Sequence, residues 1–244
     1  MIFAPHPDDE VITGGLPLRL LREAGWRVIA VAVTQGSNAA RQAERWREFV
    51  ACCGYIGFEP LELAAGGLRG VNLAARGADP ARWATGVDTV AAVLAQHAPK
   101  AIFFPHAGDW HVTHVGTHQL VVDALASLGD AFQTYAVEAE YWGAARLPNV
   151  LLELSAHDVA ELVAALSFYA GEMRRNPYHL TLPAHLIDGV RRGAELVLGQ
   201  GRPSPAFTFA ALYRVRRWQA GAFSPVLAEG RAVAARDSVA DLLP

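Results

Sequence analysis

Cysteine is almost missing from this chain. Cys52 and Cys53 are the only two among 244 residues. Adjacent cysteines rarely bridge each other, so no disulfide framework is available, and the pair reads as reduced core packing in a cytoplasmic protein. Basic runs are missing as well. With 21 Lys and Arg against 24 Asp and Glu, the net charge is −3, which argues against a nucleic-acid partner. No apolar stretch reaches the ~20 residues that a membrane-crossing helix needs. No leader precedes the first strand-like segment, which starts at Met1. That segment is not followed by GxGxxG. PHPDDEVITGG stands there instead, and Gly14 and Gly15 come too late to cradle a pyrophosphate, which speaks against a dinucleotide. No repeat, low-complexity stretch or linker interrupts the sequence. Residues 1–244 therefore read as one domain, with a motif-bearing half over 1–130 and a C-terminal half over 131–244.

What is present is material for a core, at 52% hydrophobic and 18% charged residues. Strand-like and helix-like segments alternate through the first half. Met1–Ala4 predicts a strand, Glu10–Ala24 a helix ending at Gly25, and Arg27–Thr34 a strand buried on both faces. Ala39–Cys53 predicts a helix stopped at Gly54, and Pro60–Ala64 a weaker strand. Asp79–His97 predicts a helix capped by Asp79 with Pro80 in its first turn. Lys100–Phe104 predicts a strand and Val115–Leu128 a helix ended by Gly129. In the second half, Gln133–Glu140 and Val150–Leu154 read as strands. Ala156–Arg174, capped by Ser155, and Pro183–Leu198 read as helices, and Thr208–Trp218 as a late strand. The Arg214–Trp218 part reads as an edge strand with solvated arginines. The fold class is α/β, a Rossmann-like, mostly parallel sheet flanked by helices, with a less regular C-terminal part packed on the same domain. In such sheets ligands bind beyond the carboxyl ends of the strands.

Two clusters fall at that edge. HPDDE, residues 6–10, follows the first strand, and PHAGDWHVTH, residues 105–114, follows the Lys100–Phe104 strand. A histidine and a carboxylate from one loop, with a histidine from the other, make a three-ligand site with an open position, which suits catalytic zinc. The ion lowers the pKa of bound water, and a spare carboxylate accepts the proton. The same donors also suit Fe²⁺, Mn²⁺ or Co²⁺. Alternatives are a plain helix-start cluster at Asp8 and Asp9, and a different ligand set of His111, His114 and His118. Glu10 reads as a structural residue holding the loop or first helical turn.

This constellation resembles the PIG-L/LmbE-like zinc-dependent N-deacetylases, which act on N-acetylglucosamine derivatives and related amides. The resemblance rests on HPDDE at 6–10, on His111-Val112-Thr113-His114 in place of the family's HPDH, and on a helix pattern carrying Arg45, Glu48, Cys52, Ile56 and Gly57. Thr34-Gln35-Gly36 looks like the family's loop after the second strand. The resemblance covers roughly the first 120 residues. It implies His6, Asp9 and His114 as zinc ligands, Asp8 as general base, His111 as stabiliser of the tetrahedral intermediate, and Arg45 as a substrate contact. Family members often form oligomers, so it also implies a homo-oligomer without specifying an interface.

Two departures matter. Thr113 stands where the family has Asp, the partner that orients and charges the motif's first histidine, and Val112 stands for Pro. Asp109, two residues before His111, is the candidate substitute. The first strand is also short for a central strand, or the natural start lies upstream. Trp110 is a candidate sugar-stacking wall, and His106 a candidate pocket residue. The expected activity is removal of an N-acetyl or related acyl group from an amino-sugar substrate. The alternatives are hydrolysis of another amide or ester, such as a thiol conjugate or antibiotic precursor, and a non-catalytic sugar or nucleotide binder with a vestigial metal site.

Overall fold

Continuous apolar runs form strands that are buried on both faces. In the computed structural model, which describes residues 1–243, these are β1 (Ile2–Ala4), β2 (Ile29–Ala32), β4 (Ala101–Pro105) and β5 (Thr134–Ala139), every residue of each being buried. Their neighbours are α1 (Asp9–Ile12), α2 (Gly15–Ala24), α3 (Ala39–Ile56), β3 (Glu59–Glu62), α4 (Ala75–Ala78), α5 (Pro80–His97) and α6 (Val112–Ser127). The second half supplies β6 (Val150–Leu154), α7 (Ala156–Leu166), α8 (Ala170–Arg175), α9 (Tyr178–Leu198), β7 (Phe209–Gln219), β8 (Ala222–Pro225), β9 (Arg231–Val233) and a final 3₁₀ turn, Ala240–Leu242.

One sheet runs in the order β3-β2-β1-β4-β5-β7-β6-β9, with β8 also paired to β7. The first five of these strands are parallel, and β7 lies antiparallel between β5 and β6. The fold is mixed α/β with a mostly parallel sheet flanked by helices, as the alternation of segments predicts. Alternation along each strand splits the core. Ile2, Ala30, Phe103 and Val137 face α2, α3 and α7, while Phe3, Val31, Ile102 and Ala136 face α5 and α6. Among the described residues, no helix is long and apolar enough to cross a membrane.

Four expectations need correction. First, β7 is an internal strand. Arg216 donates to Glu138 of β5 at 2.8 Å and sits 3.8 Å from the Phe223 ring centroid, and Arg214 lies 3.8 Å from the same carboxylate. These arginines are held by partners distant in sequence. Second, α3 runs through Gly54 to Ile56, because Cys53 and Ile56 pack in the core and offset the roughly 1 kcal/mol that a mid-helix glycine costs. The stop is Gly57, at φ +89, whose N–H bonds to Cys53 O at 2.9 Å.

Third, the predicted helix over 156–174 is two helices. Its Ser155 cap forms as expected, in a reciprocal box with Asp158. The chain then breaks after Leu166 and turns the Tyr169 side chain fully inside. Fourth, the helix over 10–24 breaks between Ile12 and Gly15. Tyr213 of β7 bridges this break, its hydroxyl accepting from Leu16 N at 3.0 Å and donating to Thr13 O at 2.8 Å. Tyr213→Phe leaves both backbone groups buried without that partner. We expect a loss of about 1–3 kcal/mol, read as a lower midpoint in denaturant unfolding with an unchanged slope.

Candidate active site

Parallel pairing of β1 with β4 puts the loops after both strands side by side at the carboxyl edge of the sheet. The chain leaves β1 through Pro5 and His6 and enters α1 at Asp9. Asp8 occupies the N-cap position, yet its side chain makes no capping hydrogen bond, and its backbone sits at φ +111. A residue retained only to start a helix would use its carboxylate on the backbone. Asp8 instead presents it to a cavity of about 930 Å³ that His6, Asp9, Arg45, Trp110 and His111 also line.

Asp9 is the hub. Its Oδ2 accepts the His6 backbone N–H at 2.9 Å and lies 3.3 Å from both His6 Nδ1 and His114 Nε2. His114 is in the first turn of α6 and is wholly buried. Its Nδ1 lies 3.4 Å from Asp109 Oδ1. Neither ring nitrogen makes a hydrogen bond of normal geometry. Such a ring is expensive to bury unless something else engages it. The candidate ligand atoms of His6, His111 and His114 all lie within 4.8 Å of one another. Two imidazoles and a carboxylate, next to a buried nitrogen that lacks a hydrogen bond, fit a divalent cation.

The charges point the same way. Burial alone raises a carboxyl pKa, but His114 and His6 overcome it at Asp9 and hold that group well below the usual range. Burial likewise opposes a charged His114, yet Asp9 and Asp109 raise it to about 10. A buried imidazole set between the carboxylates of Asp9 and Asp109 lies where positive charge is electrostatically favoured. Asp8 goes the other way, well above the ordinary value, through burial first and then the neighbouring Asp9 charge, with Arg45 working against both.

His111 is the N-cap of α6. Its Nδ1 accepts the Thr113 backbone N–H at 3.2 Å, so the neutral ring carries its proton on Nε2. Burial, then His6 and His114, lower its pKa and favour that neutral form. The role expected for Asp109 needs correction. Its carboxylate takes only the backbone N–H of His111, at 2.8 Å, and its ring partner is His114. The other oxygen accepts Trp142 N at 3.1 Å and Gly143 N at 3.2 Å. Gly143 permits this: a Cβ there would sit 2.8 Å from Asp109 Cα.

His106 is not brought into the cavity. Its Nε2 bonds to Gly143 O at 2.7 Å, and its Nδ1 accepts from Gly108 N at 3.2 Å, beneath the loop. His118 spends its Nδ1 on Pro105 O at 2.9 Å and stands outside the histidine cluster. Arg45 reaches the cavity while donating to Pro7 O at 3.0 Å. Trp110, 77% exposed, stands on the rim, and Thr113 lines it.

Four lining residues lie outside the motif-bearing half: Trp142, 43% exposed, Arg175, Asn176 and Tyr178, whose ring lies 5.8 Å from that of Trp142. Trp142 follows β5 closely, so the strand-end rule could have found it. Tyr178 opens a helix and gives no comparable signal.

A family model described as PIG-L, GlcNAc-PI de-N-acetylase, matches residues 1–125. The chain belongs to the PIG-L family. That span holds the HPDDE and HVTH clusters and Arg45. Solved structures share the PIG-L chain's fold at low identity. N,N′-diacetylchitobiose deacetylase from Pyrococcus horikoshii is 15% identical, with a TM-score of 0.63 over 92% of this chain and 86% of that one. The zinc-inhibited form of teicoplanin deacetylase Orf2 is 15% identical, with a TM-score of 0.58 over 93% and 98%. GalB, the 4-carboxy-2-hydroxymuconate hydratase from Pseudomonas putida KT2440, is 17% identical, with a TM-score of 0.57 over 88% and 94%. No curated protein matches this PIG-L chain.

Proposed function

We propose that the protein is a metal-dependent N-deacetylase acting on an N-acetylated amino sugar that bears a further group. The observation that carries this reading is Asp9 Oδ2 lying 3.3 Å from two imidazole nitrogens, with the uncapped carboxylate of Asp8 beside it. His6, Asp9 and His114 would hold the ion, which we take as zinc. When bound, the ion supplies Lewis acidity, acidifying water and drawing electron density from the scissile carbonyl. Asp8 takes the proton of the attacking water, and its raised pKa suits a base that must later give that proton to the departing amine. His111 offers its Nε2–H to the oxygen of the tetrahedral adduct, as a neutral donor fixed by the Thr113 N–H. Thr113 thus contributes through its backbone, a group the residue change from Asp leaves intact.

Arg45 and Trp110 are the substrate contacts. Trp110 and Trp142 supply broad faces of the kind that pack against pyranose rings or other flat groups. The cavity, at about 930 Å³, is near the upper end for small-molecule sites, and this favours a substrate larger than one sugar. The hydratase neighbour shows that this fold also carries other chemistry, so the test must read the product.

Full-length protein, purified without chelators, is assayed for metal by mass spectrometry and for acetate release from a panel of N-acetylglucosamine glycosides. About one ion per chain is expected, with release abolished by chelation and restored by zinc. A folded protein that takes up no metal from added zinc would overturn the proposal. Metal binding with turnover of a different amide or ester, and none of the panel, would replace the substrate class.

A further inference from the structure

Glu10 is fully buried, and the chemistry proposed above gives it nothing to do. Among the described residues no cation pairs with it. It is instead surrounded by donors. Its Oε2 accepts the Asp8 backbone N–H at 3.0 Å. Its Oε1 accepts the hydroxyl of Tyr169 and lies 3.5 Å from Cys52 Sγ. Tyr169 comes from the break between α7 and α8 and Cys52 from α3, so three distant segments meet on one carboxylate.

The bond to Asp8 is the informative one. Asp8 holds φ +111, backbone that side-chain-bearing residues rarely adopt. Such a conformation persists only where its surroundings over-determine it, and it clusters at functional sites. Here both sides of the residue are tied. Its N–H goes to Glu10, and its carbonyl accepts from Val11 N at 3.1 Å and Ile12 N at 3.2 Å. The strained backbone sets the direction of the Asp8 side chain, which goes to the cavity rather than to the helix start.

We infer that Glu10 and Tyr169 are positioning residues for Asp8. The Tyr169 hydroxyl and the Cys52 thiol fix the Glu10 carboxylate, and Glu10 fixes the Asp8 amide, and with it the angle at which the base meets water. This rests on Asp8 being the base. It also accounts for a carboxylate being retained in an apolar core: one group with two oxygens serves an amide, a hydroxyl and a thiol at once.

The experiment compares Tyr169→Phe, Glu10→Gln and Asp8→Asn in the zinc-loaded full-length protein, with metal content, KM and kcat measured for each. Tyr169→Phe removes only the hydroxyl and guards against misfolding. It should lower kcat about tenfold or more, within the range that misplacement of a reacting group produces, while KM and metal content stay unchanged. Glu10→Gln keeps one acceptor oxygen and should also lose kcat selectively. Because both act through Asp8, adding Tyr169→Phe to Asp8→Asn should cost nothing further. Unchanged kcat in Tyr169→Phe, loss of metal in proportion to activity, or the same fold-loss in the Asp8→Asn background would each overturn the inference. If Asp8→Asn alone keeps full turnover, it is the base assignment that falls, which separates the two failures.

Discussion

Asp8→Asn is expected to bind metal as the native protein does and to lose turnover by about 10²–10⁴, the range associated with a positioned general base. The substitution keeps the shape of the side chain and removes only its ability to take a proton. Asp8 makes no capping bond, so the helix start does not depend on its charge. Removing a carboxylate from beside Asp9 also relieves repulsion, since that charge is the second cause of the raised Asp8 pKa, after burial. Stability should therefore hold or rise slightly while kcat collapses. Equal kcat in native and variant protein, with the same metal content, would remove Asp8 from the mechanism.

Asp109→Ala is expected to damage the same centre from behind. The Asp109 carboxylate accepts the backbone N–H groups of His111, Trp142 and Gly143 and lies 3.4 Å from His114 Nδ1. Losing it leaves His114 without its rear partner, and partners of this kind are worth 10–100-fold in metal affinity. It also strips an acceptor from three amides in a buried place, so we expect a stability loss of about 3 kcal/mol or more. Competition with a chelator reads the first effect and denaturant unfolding reads the second. Asp109→Asn cannot rescue both, because only one of its two polar atoms accepts. Native metal affinity in Asp109→Ala would show that His114 is held without Asp109.

The part of the site that local sequence and sheet topology decide was legible. HPDDE follows β1, HVTH follows β4, and parallel pairing of those strands brings both loops to one edge. What was not legible depended on side-chain direction or on distant partners. Asp109 looks like a partner for His111 because the two are close in sequence. However, His111 caps α6, and helical side chains lean back toward the N-terminus, so the ring of His114 is the one that reaches Asp109. The arginines of β7 looked solvated because their partner, Glu138, lies about seventy to eighty residues away. Tyr169 falls within the helix predicted over 156–174, and nothing nearby announces that its hydroxyl meets Glu10.

The pairing of β4 with β5 has a practical consequence. Residues 1–125 contain His6, Asp9 and His114, and the family model stops there. Ala101–Pro105, however, is covered along one side by Tyr135–Ala139, and all five of its residues are buried. A fragment cut at the end of the family match would expose Ile102, Phe103 and Phe104 on an open strand edge, the form that templates association between chains. The smallest piece carrying every candidate ligand would be an aggregating one, not a miniature enzyme.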